Sequence, residues 1–359
     1  MNLARLVGVA ALLALAGCSQ GTPAAPSAPP PSPSLAAASP TAAVPPKFAS
    51  GDVRISLVRQ LSSGDYFEQW LAGAQAEAKA LNVKLEISSG DGNNDKQALN
   101  LEQAVTGKAD AIIVDHGFAQ TVQPAIKKAV AAKIPLVAFD VDPGTAEAVT
   151  LSQDDHQIAE QALGALKAET GGSGEVVYVY VAGFAPLDRR NETWEQFKKD
   201  NPAIKQVAQI GVVNSSTASA VADQAKAALQ AHPGVKAIFA PYDEFAKGAA
   251  LAVKELGLAG KVKIYGADVS TADIGVMTEP NSPWVATSAT DPANVGRVAV
   301  RAAALLVAGE QVGRALTVPP SLITQKGLRD AGITGVEQLT RAFPGLTTPD
   351  VARVPWAAP

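Results

Sequence analysis

Ala111-Ile112-Ile113-Val114, then Val122, Ile126 and Ala129 at helical spacing, then Leu136-Val137-Ala138-Phe139: this segment of the 359-residue chain decides the fold class. Short runs with no polar alternate suit strands buried on both faces, and such strands occur where helices cover both sides of a parallel sheet. Upstream the alternation continues. Val53-Arg54-Ile55-Ser56-Leu57-Val58 reads as a strand, and Phe67, Trp70, Leu71, Ala74, Ala78 and Leu81 recur at helical spacing. Val83-Lys84-Leu85-Glu86-Ile87 is a second strand, and Asp95 is placed to cap a helix carrying Ala98, Leu101 and Val105.

Downstream the pattern restarts. A helix with Ile158, Ala162 and Leu166 stops at Thr170-Gly171-Gly172. Strands follow at Val176–Val181, Gln206–Ile210, Ala237–Ala240 and Val262–Tyr265, each with a helical pattern after it. The expected fold is α/β, with two doubly wound parallel-sheet (Rossmann-like) lobes.

Composition narrows the function. Hydrophobic residues make up 47% and charged residues 18%, enough to build cores and too little charge for wholesale disorder. A net charge of -4 carries none of the basic excess that nucleic-acid binding requires. One cysteine and three histidines without metal-ligand spacing argue against a disulfide framework, a zinc site or an iron–sulfur site. No Gly-x-Ser-x-Gly elbow, Walker loop or Gly-x-Gly-x-x-Gly turn follows a strand, so the chain does not read as an enzyme, and it implies no cofactor.

The first residues read as an address. Arg5 precedes the apolar run Leu6 to Ala16, and Leu15-Ala16-Gly17-Cys18 resembles the bacterial lipobox, whose cysteine receives a diacylglycerol. From Ser19 to Pro46 there are nine prolines and no charge, a composition that favours an extended tether. The expectation is a signal peptide over 1–17 and a lipid-anchored linker over 18–50, holding the folded part at the periplasmic or cell-surface side of a membrane.

In open α/β sheets ligands sit at the carboxyl ends of strands. Those ends here read Asp65-Tyr66-Phe67, Asp91-Gly92-Asn93-Asn94, Asp115-His116 and Asp140-Val141-Asp142, with Arg190, Tyr242-Asp243-Glu244 and Asp268 in the second half. Carboxylates accept from hydroxyls, a guanidinium donates to them, and aromatic rings cover C–H faces, so the set suits a small hydroxyl-rich ligand. The stretch from Asp91 looks superficially like a calcium loop. Its twelfth position, Glu102, falls in a helix-forming run, and the segment reads better as a helix cap. Trp70 and Trp284 read as core or lobe-surface residues, and Arg189 beside Arg190 reads as the solvated member of the pair.

The order of these segments resembles the periplasmic sugar-binding proteins of ABC importers, ribose-binding type, from about Val53 to Leu328. Ala109–Val114, Ile134–Asp140, Ala231–Ala240 and Tyr265-Gly266-Ala267-Asp268 carry the resemblance together with Tyr66-Phe67. It implies two lobes joined by three crossovers near Ser152–Asp154, Thr290–Pro292 and Pro319–Ser321, with the ligand cleft between them. The N-terminal lobe would be 52–153 plus 291–319, the C-terminal lobe 154–290 plus 320–330, and 331–359 an appendage packed on one lobe. By the same resemblance Tyr66 and Phe67 sandwich the sugar, Asp140 and Asp268 accept from it, and Arg190 opens a helix with Trp194 in the following aromatic position.

Four positions depart from the ribose binder: Gly64, Val141, Tyr242 and Thr290 stand where it has asparagine, arginine, asparagine and glutamine. With half the polar contacts changed, the resemblance implies the sugar class and not ribose itself. The expected partners are a small sugar or polyol, an ABC permease and a membrane through the anchor, with the protein a monomer. A receptor that docks a membrane sensor on binding a sugar, nucleoside or furanose is the other reading. A sugar-responsive repressor shares the fold but needs an N-terminal DNA-binding helix pair, where this chain has its tether.

Overall fold

A computed structural model describes residues 40–357; Cys18, the signal segment and most of the tether lie outside the described residues. In chain order the first elements are α1 (Pro46–Ala49), β1 (Arg54–Arg59), α2 (Asp65–Ala80), β2 (Lys84–Ser89), α3 (Asn94–Thr106), β3 (Ala111–Asp115), α4 (Ala119–Ala131), β4 (Leu136–Phe139) and β5 (Val149–Gln153). The next are α5 (Asp155–Thr170), β6 (Gly174–Val179), α6 (Ala185–Asp200), β7 (Ile204–Ile210), α7 (Thr217–Ala231), β8 (Val235–Ala240), α8 (Asp243–Glu255), β9 (Lys263–Ala267), α9 (Thr271–Thr278) and β10 (Trp284–Ala289). Last come α10 (Pro292–Val307), β11 (Ala315–Val318), β12 (Ser321–Thr324) and α11 (Gln325–Asp330), then two short 3₁₀ turns.

The strands form two six-stranded sheets, ordered β2-β1-β3-β4-β5-β11 and β7-β6-β8-β9-β10-β12. The first is parallel throughout, and only β12 runs antiparallel, against β10. Each sheet has its topological switch point where the order reverses, at β1/β3 and at β6/β8. The chain passes between sheets three times, at 153–155, 289–292 and 318–321. The expected two-lobed α/β architecture is therefore present.

Apolar clusters cover both faces of each sheet. Trp70 stacks on Phe139 at 5.5 Å on one face of the first sheet, and Leu101, Val122 and Ile126 fill the other. Trp194, Tyr178 and Phe239 pack one face of the second sheet, and Phe245, Ile274 and Trp284 the other. Both tryptophans read as core or lobe surface, Trp70 and Trp284, are fully buried. Helix α10 arrives from the second lobe and lies backbone to backbone on α2. A Cβ at Gly296 would stand 2.1 Å from the Trp70 carbonyl oxygen, and one at Gly73 only 2.0 Å from that of Ala293.

Local details differ from the sequence expectation. The α3 cap is Asn93, whose side chain accepts from Lys96 N at 3.0 Å, and Asp95 sits in the first turn, where its charge complements the helix dipole. Strands β5 and β10 were not anticipated. They carry Thr and Ser between apolar residues, so they lack the unbroken apolar signal of β3 and β4.

The C-terminal segment engages both lobes rather than one. Ile333, Leu339 and Leu346 are buried in the second-lobe core. The chain then passes α10, where Asn294 Nδ2 donates to Thr348 Oγ1 at 2.6 Å, and ends with Val354 and Trp356 in the first-lobe core. Trp356 packs on Phe48 at 5.2 Å, and Pro355 O accepts from the amides of Thr41 and Ala42 at 2.8 and 3.0 Å. The segment is a fourth passage between the lobes, and it fastens the last part of the linker, at Thr41 and Ala42.

Trp356 is 6% exposed. Trp356→Ala is expected to lower the free energy of unfolding by about 3 kcal/mol, the scale of truncating a buried aromatic. Urea denaturation reads the loss directly, and a change below about 1 kcal/mol would show that the tail does not hold the first lobe.

Candidate functional site

The carboxyl ends of the two sheets face each other across a cavity enclosing about 490 Å³ of empty space, its mouth included. From the first lobe it is lined by Leu61, Tyr66, Phe67, His116 and Gln153; from the second by Phe184, Pro186, Leu187, Arg190, Val213, Tyr242 and Asp268. Every one of these follows or ends a strand. Both switch points contribute, through the connections after β1, β3, β6 and β8.

A repeated backbone device shapes three of the strand ends. His116, Asp140 and Asp268 hold φ of +58°, +50° and +67°. Each donates its amide to the neighbouring strand before the chain turns, to Phe139 O, Leu151 O and Ser288 O respectively. Left-handed backbone is uncommon outside glycine, and Asp and His are among the residues that tolerate it. Such positions concentrate at functional sites.

On the first-lobe wall, Gly64 adopts φ +108° ahead of α2 and lets Tyr66 and Phe67 occupy the first helical turn. Phe67 meets His116 edge-on at 5.2 Å. Arg59 lies behind them, 1% exposed, with its guanidinium 5.8 Å from the Phe67 and Trp70 rings. It donates to Phe67 O and to Asp115 Oδ2, both at 2.9 Å, while Asp115 Oδ1 accepts from His116 Nδ1 at 2.7 Å. The imidazole is thereby fixed in orientation. Its Nε2 stands 3.9 Å from Asp140 Oδ2, which has no hydrogen-bond partner; Tyr66 Oη has none either.

On the second-lobe wall, Arg190 is 2% exposed. Its Nη1 and Nη2 donate to the two oxygens of Asp268 at 2.9 and 3.0 Å, Nη1 also to Pro241 O at 2.8 Å, and Nε to Asp155 Oδ1 at 2.8 Å. Arg189 donates to Asp155 Oδ2 at 2.8 Å and across the cleft to Asp140 Oδ1 at 2.7 Å. A second ion pair between lobes joins Lys247 to Asp65 at 2.6 Å. Phe118 and Phe184 meet between the lobes at 4.8 Å.

Of the residues anticipated from sequence, Tyr66, Phe67, His116, Arg190, Tyr242 and Asp268 border the cavity. Asp115, Asp140 and Thr290 stand one layer behind it. Asp115 is held between Arg59 and His116, Asp140 by Arg189, and Thr290 donates to Gln153 Oε1 at 2.5 Å. Trp194 is core, against Tyr178 at 5.0 Å. Arg190 lies in the second turn of α6 rather than opening it, because Pro186 fits the first turn. Arg189 is not a solvated neighbour, since two buried carboxylates draw it inward. Other contributors were missed: Leu61 follows β1, Gln153 ends the unanticipated β5, Leu187 lies in α6 and Val213 follows β7, while Arg59, the last residue of β1, supports the wall from behind.

Charge is nearly balanced inside the site. The guanidiniums of Arg59, Arg189 and Arg190 oppose the carboxylates of Asp115, Asp140, Asp155 and Asp268, so one proton on His116 or Asp140 makes the cluster neutral. Burial, then the neighbouring Asp155 charge, pushes Asp140 up to about 7. Burial alone would lower the His116 pKa, but the Asp115 hydrogen bond and charge outweigh it and raise it.

Both groups bind a proton more tightly folded than unfolded. Their contribution to stability is full below the unfolded values, 3.8 and 6.5, and is lost as pH rises through the folded ones. Urea unfolding between pH 5.5 and 8.5 should therefore show stability falling with pH, by up to about 1.4 kcal/mol per unit for one proton. Buried Asp243 and Asp273 carry the same sign. The comparison with Asp140→Asn isolates the site: a flatter slope is expected in the variant, and an unchanged slope would refute the assignment.

Residues 55–311 match the family model described as periplasmic binding protein domain. The ribose import binding protein of Salmonella typhimurium is 27% identical over 278 residues, covering 76% of this chain and 90% of the relative. A solved sugar ABC transporter protein of Yersinia enterocolitica superposes with TM-score 0.84 at 29% identity, over 88% of this chain and 97% of that one. The 5-methylthioribose transporter solute binding protein of Thermotoga lettingae, solved with 5-methylthioribose, superposes with TM-score 0.82 at 41% identity, over 84% and 96%. With two switch-point sheets closing on one cavity and matches over most of its length, the chain belongs to the periplasmic binding protein domain family, among the solute-binding proteins of sugar ABC transporters.

Proposed function

We propose that the protein captures a small sugar between its lobes outside the cytoplasmic membrane and delivers it to an ABC permease, tethered there through a lipid on Cys18. One observation carries the reading: the cavity between the lobes is charged and hydrogen-bonding on one part of its wall and apolar on the rest. Arg190, Asp268, His116, Gln153 and the unpartnered Tyr66 hydroxyl meet hydroxyls, while Phe67 and Tyr242 cover C–H faces. Leu61, Phe184, Pro186, Leu187 and Val213 have no polar side-chain atom to offer, so part of the ligand facing them is apolar. A five-carbon sugar with a small apolar substituent has both halves. The solved relative that holds 5-methylthioribose supports this ligand class.

Calorimetric titration with 5-methylthioribose, ribose, allose and ribitol tests it. Binding of 5-methylthioribose is expected, with ribose weaker by about 10- to 200-fold for the missing apolar arm. Silence across every sugar and polyol would overturn the reading.

Arg190→Ala removes the partner of a buried carboxylate and is expected to weaken binding by about 30- to 1000-fold. Arg190→Lys keeps the charge without the fork and should restore only part of it. Arg189→Ala, which loses a bond between lobes rather than a wall residue, should cost less than Arg190→Ala. The reverse ranking would place the ligand against Arg189.

The anchor has its own test. Cys18→Ser is expected to move the mature protein from the membrane fraction to the soluble one with its fold unchanged. Unaltered fractionation, with no lipid mass on the wild type, would refute it.

A further inference from the structure

A second cavity lies directly outside the first, and the two share part of their walls. It holds about 990 Å³ of empty space, counting its opening to solvent, and Leu61, Phe184 and Val213 border both. None of Arg190, Asp268, His116 or Gln153 borders the outer cavity. The hydrogen-bonding part of the inner wall is therefore turned away from the partition, and the partition is apolar.

Its three members come from both lobes. Leu61 belongs to the connection after β1, Phe184 to the residue before α6, and Val213 to the connection after β7. The partition exists only when the lobes are together. Beyond it, the Phe118 ring meets Phe184 at 4.8 Å and Val181 adds an aliphatic surface, while the exposed Ser62, Ser63, Asp91, Asn214 and Ser215 line the mouth. Gln60 borders the outer cavity too. It is 2% exposed, and its Oε1 accepts no hydrogen bond.

Resting on the sugar reading above, we propose that Leu61, Phe184 and Val213 form a gate through which the apolar arm of the bound sugar passes, and that the outer cavity accepts arms longer than methyl. The class of ligand is a pentose held by its hydroxyls at Arg190 and Asp268, with an alkyl or aryl thioether at its far carbon. Arms of this kind lose no hydrogen bonds on leaving water, so they cross an apolar partition at little cost. The gate side chains, not the polar wall, then set how large a substituent the protein accepts.

The test titrates ribose, 5-methylthioribose, 5-propylthioribose and 5-phenylthioribose into the wild type and into Val213→Phe and Leu61→Phe. The wild type is expected to bind the propyl and phenyl compounds within 10-fold of the methyl one. Either variant, checked for folding, should weaken the two long-armed compounds at least 10-fold more than it weakens 5-methylthioribose. A wild-type loss beyond 10-fold on lengthening the arm, or variants that affect all arms alike, overturns the gate. Binding of ribose with none of the thioethers would overturn the gate while leaving sugar capture standing. Failure of every sugar would remove the reading on which the gate rests.

Discussion

Arg190 is a guanidinium taken almost completely out of water, and much of the site is arranged to compensate it. Removing such a charge from solvent costs several kcal/mol unless well-placed acceptors replace the water. Here Asp268 takes two donors, Pro241 O one and Asp155 another. Asp155 stands in the first turn of α5, directly after the chain has crossed from the first sheet. The cavity wall and the crossover are thus tied by one carboxylate. The same carboxylate holds Arg189, whose other bond reaches Asp140 in the first lobe, so the geometry of the site and the approach of the lobes depend on one network.

That network ties the polar wall together by hydrogen bonds and ion pairs that the apolar wall lacks. Arg59, Asp115 and His116 form a parallel chain in the first lobe, with every charge paired. Rigid pre-formed donors and acceptors favour a fixed pattern of hydroxyls, because an analogue lacking one leaves a buried partner unmet. Apolar contacts discriminate far less per group, so under the proposed reading the apolar wall selects a substituent by space and shape. The cavity divides these tasks between its two kinds of wall.

Each lobe contributes through the same topology. Both sheets run 2-1-3-4-5 in their own strand count, and in both the strand ends around the switch point carry the wall residues. Left-handed Asp140 and Asp268 recur at equivalent ends, after the fourth strand of each lobe, and left-handed His116 follows the third strand of the first. The C-terminal segment adds a connection behind this arrangement, buried in the second-lobe core at Leu339 and in the first-lobe core at Trp356.

The sequence by itself determined the two-lobed α/β fold, because unbroken apolar runs such as Ala111–Val114 and Leu136–Phe139 can be buried only between two helical layers. It also located half of the wall, since strand ends in such sheets converge on one side and Tyr66, His116, Arg190 and Asp268 stand there. Strands β5 and β10 escaped because mixed Ser, Thr and apolar residues give little periodic signal, and Gln153 was lost with β5. Only the tertiary structure decided which of two adjacent arginines lines the cavity and which bridges the lobes. That depends on where Asp140, Asp155 and Asp268 come to lie, 49, 34 or 35, and 78 residues away from their partners. Nor does local sequence mark Leu61 and Val213 as neighbours. They meet because the ends of two different sheets face each other across the cleft, and proximity across a cleft is a property of the whole fold.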